Sequence, residues 1–302
     1  MRVKGLKNIL LSSDQMTTHG HQQQKGFLQR LEFVEVKSCG DICTLFPAKL
    51  RQGLKNLRSV GIESCKLLKE VFELGEFDEE SNEEEELLLL PSLTTLQLSL
   101  LPELKCIWKG PIRHVSLHSL TCLNLQDLDK LTFIFPPSLS QSLPQLETLK
   151  VENCRELKHI IREKDGDERK IIAESLGFPN LKTLLISGCG KLEYVFPVSV
   201  SPTLQKLERM TISYAYNLKQ IFYSGEGDAL TGDGIIKLPQ LRDLSLLWPK
   251  SNCGFFGPKN FAAQVPSLQN LTIHGHEELG NLLPQLQVRP LYFSIISFSF
   301  LI

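Results

Sequence analysis

The chain has 302 residues, 42% of them apolar, and a formal net charge of −1. That composition supports a sizeable buried core and gives no overall electrostatic pull toward nucleic acid or an acidic membrane. Its eight cysteines are spread out with no CxxC pair, which excludes a dense disulfide scaffold and a zinc ribbon.

The N-terminal stretch MRVKGLKNILLSS has a basic start, but its apolar run is too short and broken for a signal peptide. Leu6, Ile9 and Leu11 match the first half of a repeat, and the pattern then dissolves into SSDQMTTHGHQQQKG. Residues 1–27 therefore read as a partial repeat and a polar linker.

From 28 to 287 one template recurs: L-x-x-Φ-x-Φ-x-x-C-x-x-L-x-x-Φ-F, with Φ apolar. Its nine copies start at Leu31, Leu57, Leu93, Leu120, Leu146, Leu181, Leu207, Leu241 and Leu268. Counted from each start, offsets 0, 3, 5, 14 and 15 are apolar in every copy, far above the 42% of the whole chain. Five of the eight spacings are 26 or 27 residues; the other three carry extra residues at one fixed point, after offset 15. These inserts fall at 73–86, 162–170 and 223–234, and their Gly, Asp and Glu content marks them as loops. The first, ELGEFDEESNEEEE, holds nine carboxylates and no basic residue. It reads as a solvated run, with contact to a basic surface as the sharper alternative. Copy 241–256 is irregular at Trp248, Pro249 and Asn252 and is a candidate contact site, whereas Trp108 falls in the aromatic core slot at offset 15.

Offsets 3 and 5 alternate with polar neighbours, the period of a half-buried strand. Beyond them the apolar period lengthens to three, which predicts an irregular, 3₁₀ or short helical return. A strand plus a return is too thin to fold alone, so the copies must stack. Cys39, Cys65, Cys154 and Cys189 fill offset 8, where a small buried thiol serves a turn carbonyl. The expected fold class is α/β: a leucine-rich-repeat solenoid, or horseshoe, with a parallel β-sheet on its concave face. Pro284, Gln285 and Leu286 open a tenth copy that fails at Arg289 and Pro290. Residues 288–302 are set apart as an apolar non-repeat tail, shorter than the roughly 20 residues of a membrane-spanning helix. Neither end offers a polar cap, so a piece of a longer array is expected, and unpaired thiols without an export signal point to the cytoplasm.

The phrases LETLKVENCRELKHII (146–161), LKTLLISGCGKLEYVF (181–196) and LERMTISYAYNLKQIF (207–222) carry a resemblance. They resemble the C-terminal leucine-rich repeats of plant disease-resistance proteins of the coiled-coil, nucleotide-binding kind, over about 28 to 287. The resemblance implies a recognition module of plant innate immunity with protein partners: a pathogen effector, a guarded host protein, or the nucleotide-binding domain of the same receptor family. The family's phosphate-binding motif G-x-x-x-x-G-K-[ST] does not occur in this sequence.

Offsets 2, 4 and 6 should project from the concave sheet. The candidate partner-binding residues are Glu35, Lys37, Glu63, Gln97, Asn124, Gln126, Lys150, Glu152, Arg209, Asp243, Asn270 and His274. No nucleophile–base arrangement and no metal-ligand spacing recurs, so no catalytic, cofactor or metal residue is assigned, and neither nucleic acid nor membrane is an expected partner. His274-Gly275-His276 reads as structural, because His276 takes offset 8. The rival reading is a free-standing repeat adaptor or substrate recruiter, for example in ubiquitin ligation.

Overall fold

The structure is a computed structural model. It describes residues 2–3, 29–48, 54–74, 90–110, 115, 117–136, 143–161, 177–224, 234–247, 257, 261–274, 286–287 and 295–299. Eleven parallel strands form one main sheet, stacked in chain order. Nine of them occupy offsets 2–6 of the nine copies: Phe33–Lys37, Ser59–Glu63, Thr95–Ser99, Cys122–Gln126, Thr148–Glu152, Thr183–Ser187, Arg209–Ser213, Asp243–Leu247 and Asn270–His274. Register is in step from layer to layer, as in Leu123↔Leu149, Leu149↔Leu184 and Leu184↔Met210. The alternation that predicted the strands also fixes their faces. Offsets 0, 3 and 5 are buried from the second copy onward, while offsets 2, 4 and 6 face away from the core.

The ends differ from the sequence expectation. Ile295–Ser299 lies within the stretch set apart as a non-repeat tail, yet it pairs with Asn270–His274 along its whole length. The template anchored the next copy at Leu286, and the strand falls nine residues further on. At the other end Arg2–Val3 pairs with Glu35 and Val36; the half-copy at Leu6, Ile9 and Leu11 lies outside the described residues.

The returns also differ. Offsets 13–15 or 13–16 form short parallel strands rather than irregular turns, in two stacks. One joins Thr44–Phe46, Glu70–Glu73 and Cys106–Lys109; the other joins Phe133–Phe135, His159–Ile161, Tyr194–Pro197 and Gln220–Tyr223. A third stack, Ile235–Lys237, Ala262–Gln264 and Leu286–Gln287, covers the C-terminal layers. Val198–Thr203 is a 3₁₀ helix.

Rings at offset 15 stack through the core. Phe46, Phe72 and Trp108 lie face to face at 5.0 Å between centroids, with planes within 10°. The copy at Leu146 has Ile161 in that slot, and Phe178 supplies the missing ring from the following connection. It sits 6.2 Å from Phe135 and 5.3 Å from Phe196. Each of the four offset-8 thiols donates to the carbonyl two residues earlier, at 3.5–3.7 Å. A further column binds layers at their start. The side chains of Asn56, Ser119, Asn180 and Ser267 donate to the carbonyls of Gln29, Pro91, Pro144 and Pro239 in the preceding layer.

The turn after seven of the main strands has left-handed backbone. Ser38, Ser64, Leu100, Asp127, Asn153, Gly188 and Tyr214 take φ between 52° and 68° at offset 7. Their amides continue the sheet's hydrogen bonding: Asn153 N–H donates to Ser187 O, and Gly188 N–H to Ser213 O.

Candidate partner-binding face

The twelve candidate residues all fall in main-sheet strands on the face turned from the core, and none is fully buried. The sequence reason is the same for each: an outward offset next to a buried apolar residue at offset 3 or 5. Eight layer steps separate Phe33–Lys37 from Asn270–His274, about 38 Å at the usual strand spacing. That length accommodates a protein-sized contact.

Charges on this face are largely matched within it. Lys37 Nζ lies 3.0 Å from both Glu35 and Glu63. Hydrogen bonds to Glu63 first, and then to Glu35, push the Lys37 ammonium above its ordinary range. Lys150 pairs with Glu152 on its own strand. Asn270 donates to Asp243 Oδ1 at 2.6 Å, and Arg209 donates to Thr183 Oγ1 at 3.3 Å. Such exposed pairs add little stability, but they hold side chains in fixed positions.

Gln97, Asn124 and Lys150 stand side by side in adjacent strands, as do Gln126 and Glu152. Asn124 Oδ1 is buried without a hydrogen-bond partner. The structure thus gathers Glu35, Lys37 and Glu63 into one cluster, Gln97 to Glu152 into a central group, and Asp243, Asn270 and His274 at the far end. It does not bring the first and last clusters together.

Sequence reasoning missed the rim beside this face. Leu67, Leu100, Tyr214 and Tyr216 are 46%, 46%, 44% and 50% exposed, and all four lie on the turn after a main strand. The signal was present in the turn columns, where Ser, Asp, Asn and Gly otherwise prevail at offset 7. Phe33, at the opposite end of its strand, is 60% exposed.

Among the described residues no group of three or more His, Cys, Asp or Glu is placed to hold a metal ion. Nor is any helix of the described residues long and apolar enough to cross a membrane. Trp248, Gly275, His276 and residues 75–86 of the acidic insert lie outside the described residues.

The family model for plant disease resistance protein RPS2-like leucine-rich repeats matches residues 5–155 and 156–291. A protein of Arabidopsis thaliana named probable disease resistance protein At4g27220 is 29% identical over 129 residues. The match covers 41% of this chain and 14% of that relative, so the chain spans a small part of the relative's length. Among solved structures, the leucine-rich repeat domain of the type III effector XopL overlaps 69% of this chain and 80% of its own, with 18% identity and a TM-score of 0.32.

Proposed function

Because the chain belongs to the plant disease resistance protein RPS2-like leucine-rich-repeat family, we propose that it senses a pathogen effector, or a host protein that such an effector alters, through the outward face of its main sheet. The observation that supports this reading is the face itself. Nine layers present ordered side chains in register, with their charges paired in place and their backbone amides committed to the sheet. A preformed array of that kind binds with little further ordering. The nucleotide-binding domain of a receptor of the same family is the other protein this face suits. The reading has no catalytic step and needs no cofactor.

The seven described cysteines are free thiols, the state a reducing compartment maintains, and this supports a cytoplasmic site of action. The test is a comparison of proteins recovered from infected leaf tissue by the chain and by a variant carrying Gln97→Arg, Asn124→Arg and Lys150→Glu. The outward positions tolerate these changes, so an unchanged melting curve is the control. We expect defined proteins, effectors among them, to be recovered by the first and lost with the second. Equal recovery by both overturns the reading.

A further inference from the structure

Singly exposed apolar residues are ordinary, but four on one rim are not. Two of the four also break the rule of their own column. Gly, Asn and Asp tolerate left-handed backbone, whereas Leu100 and Tyr214 adopt it with bulky side chains, at φ 54° and 53°. Tyr214 does not offset that strain by burial, being 44% exposed. Strain held at an exposed aromatic side chain is the kind that function maintains.

The surroundings of Tyr214 are specific. Tyr216 stands 6.4 Å away, edge-on at 65°. One layer back, Gly188 is covered by Asn153, but Gly190 meets only Tyr216, whose Cδ2 is 3.7 Å from where a β-carbon of Gly190 would stand. Two rings therefore rise beside a glycine floor. Inboard of them, the outward residues at offsets 4 and 6 of three successive layers carry no charge: Leu185, Thr211 and Ser245, then Ser187, Ser213 and Leu247. The hydroxyls of Ser213 and Ser187 satisfy each other at 2.8 Å.

We propose that Tyr214 and Tyr216, with the floor at Gly190, anchor a protein partner through an uncharged extended segment that seats an aliphatic or proline side chain on the rings. The argument for that occupant is charge matching. Two charges border the patch, Glu152 beside Ser187 and Lys191 after Gly190, and they are paired with Lys150 and Glu156. A charged segment would give up water here and meet no uncommitted counter-charge, whereas a neutral one loses least on desolvation. Aromatic anchors in a patch shielded from water carry most of the energy of an interface. The inference rests on the protein-recognition reading and moves its energetic centre from the polar face to the rim.

Selection of a random linear peptide library on the whole chain tests it. We expect the enriched peptides to be uncharged and rich in proline, aliphatic or aromatic residues. Their affinity should fall about tenfold or more in Tyr214→Ser/Tyr216→Ser. It should change less than about twofold between low and high salt. Gly190→Gln keeps both rings and covers the floor, so it should weaken binding as well, while Arg58→Ala, at an exposed pair in an early layer, should not. Charged, salt-sensitive peptides that depend on Lys150 and ignore the tyrosines would overturn the inference and leave protein recognition standing. If no peptide binds, the inference fails, while recovery of whole proteins by the chain still decides the recognition reading.

Discussion

A β-carbon placed on Gly188 would lie 3.2 Å from the Cα of Asn153, its counterpart in the preceding layer, and closer still to Asn153 Oδ1. The Asn153 amide is held there by its donation to Asp127 Oδ1 at 3.0 Å. Gly188 also has φ +68°, where a β-carbon is strained whatever the space. Gly188→Ala should therefore destabilise the protein by about 2 kcal/mol. Gly61, in a main strand with nothing within 4 Å of its β-carbon position, is the control. Gly61→Ala should be neutral or stabilising by up to about 1 kcal/mol. Urea unfolding of both variants checks the pair.

Phe72 lies between Phe46 and Trp108 in the stack of rings. Phe72→Ala removes contacts on both sides and should cost about 3–5 kcal/mol. Trp108 differs because its buried Nε1 has no hydrogen-bond partner. Trp108→Phe keeps a ring in the stack and removes that orphaned donor, so the lost area is offset and the change should stay within about 1 kcal/mol. Equal losses in the two variants would show that the indole nitrogen is satisfied in solution.

Burial is the main cause that pushes the thiols of Cys65, Cys106 and Cys122 above the usual value near 9. A raised folded-state value means the stability is complete below the ordinary thiol range. As pH rises past it, the unfolded chain releases protons that the folded chain retains, so stability declines toward the folded values. The urea midpoint should be flat from pH 7 to about 8.5 and fall above about pH 9. Cys106→Ser/Cys122→Ser should make that fall shallower.

The main strands were legible because offsets 3 and 5 are apolar between polar neighbours, and that period has one structural meaning. The return strands were not, for a reason visible at His159–Ile161. Its burial runs half-buried, buried, buried, so two adjacent apolar residues point inward and the alternation that marks a strand is broken. Ile295–Ser299 escaped because the template had anchored the next copy at Leu286, although Ile296 and Phe298 alternate with Ser297 and Ser299 and pair with Leu271 and Ile273. On the face, Lys37 and Glu63 could be read as outward from their offsets. Their pairing could not, since it depends on two strands 26 residues apart in sequence meeting in register. Tyr214 was marked in the sequence only as an aromatic in a column of Ser, Asp, Asn and Gly; the strain it carries appears in a backbone angle.

That strain gives a prediction with opposite signs for stability and recognition. Tyr214→Asn replaces a bulky side chain at φ 53° with one that tolerates left-handed backbone. The ring it removes is 44% exposed and packs edge-on against Tyr216, so the lost contact is partial. Net stability should rise by about 0.5–1 kcal/mol, read as a higher urea midpoint with an unchanged slope. Affinity for rim-selected peptides should fall about tenfold in the same variant. A variant that loses stability and binding together would mean that Tyr214 serves the fold, and the strain would then need another explanation. Gain in one and loss in the other is what a side chain kept for contact, at a cost to the turn that holds it, must show.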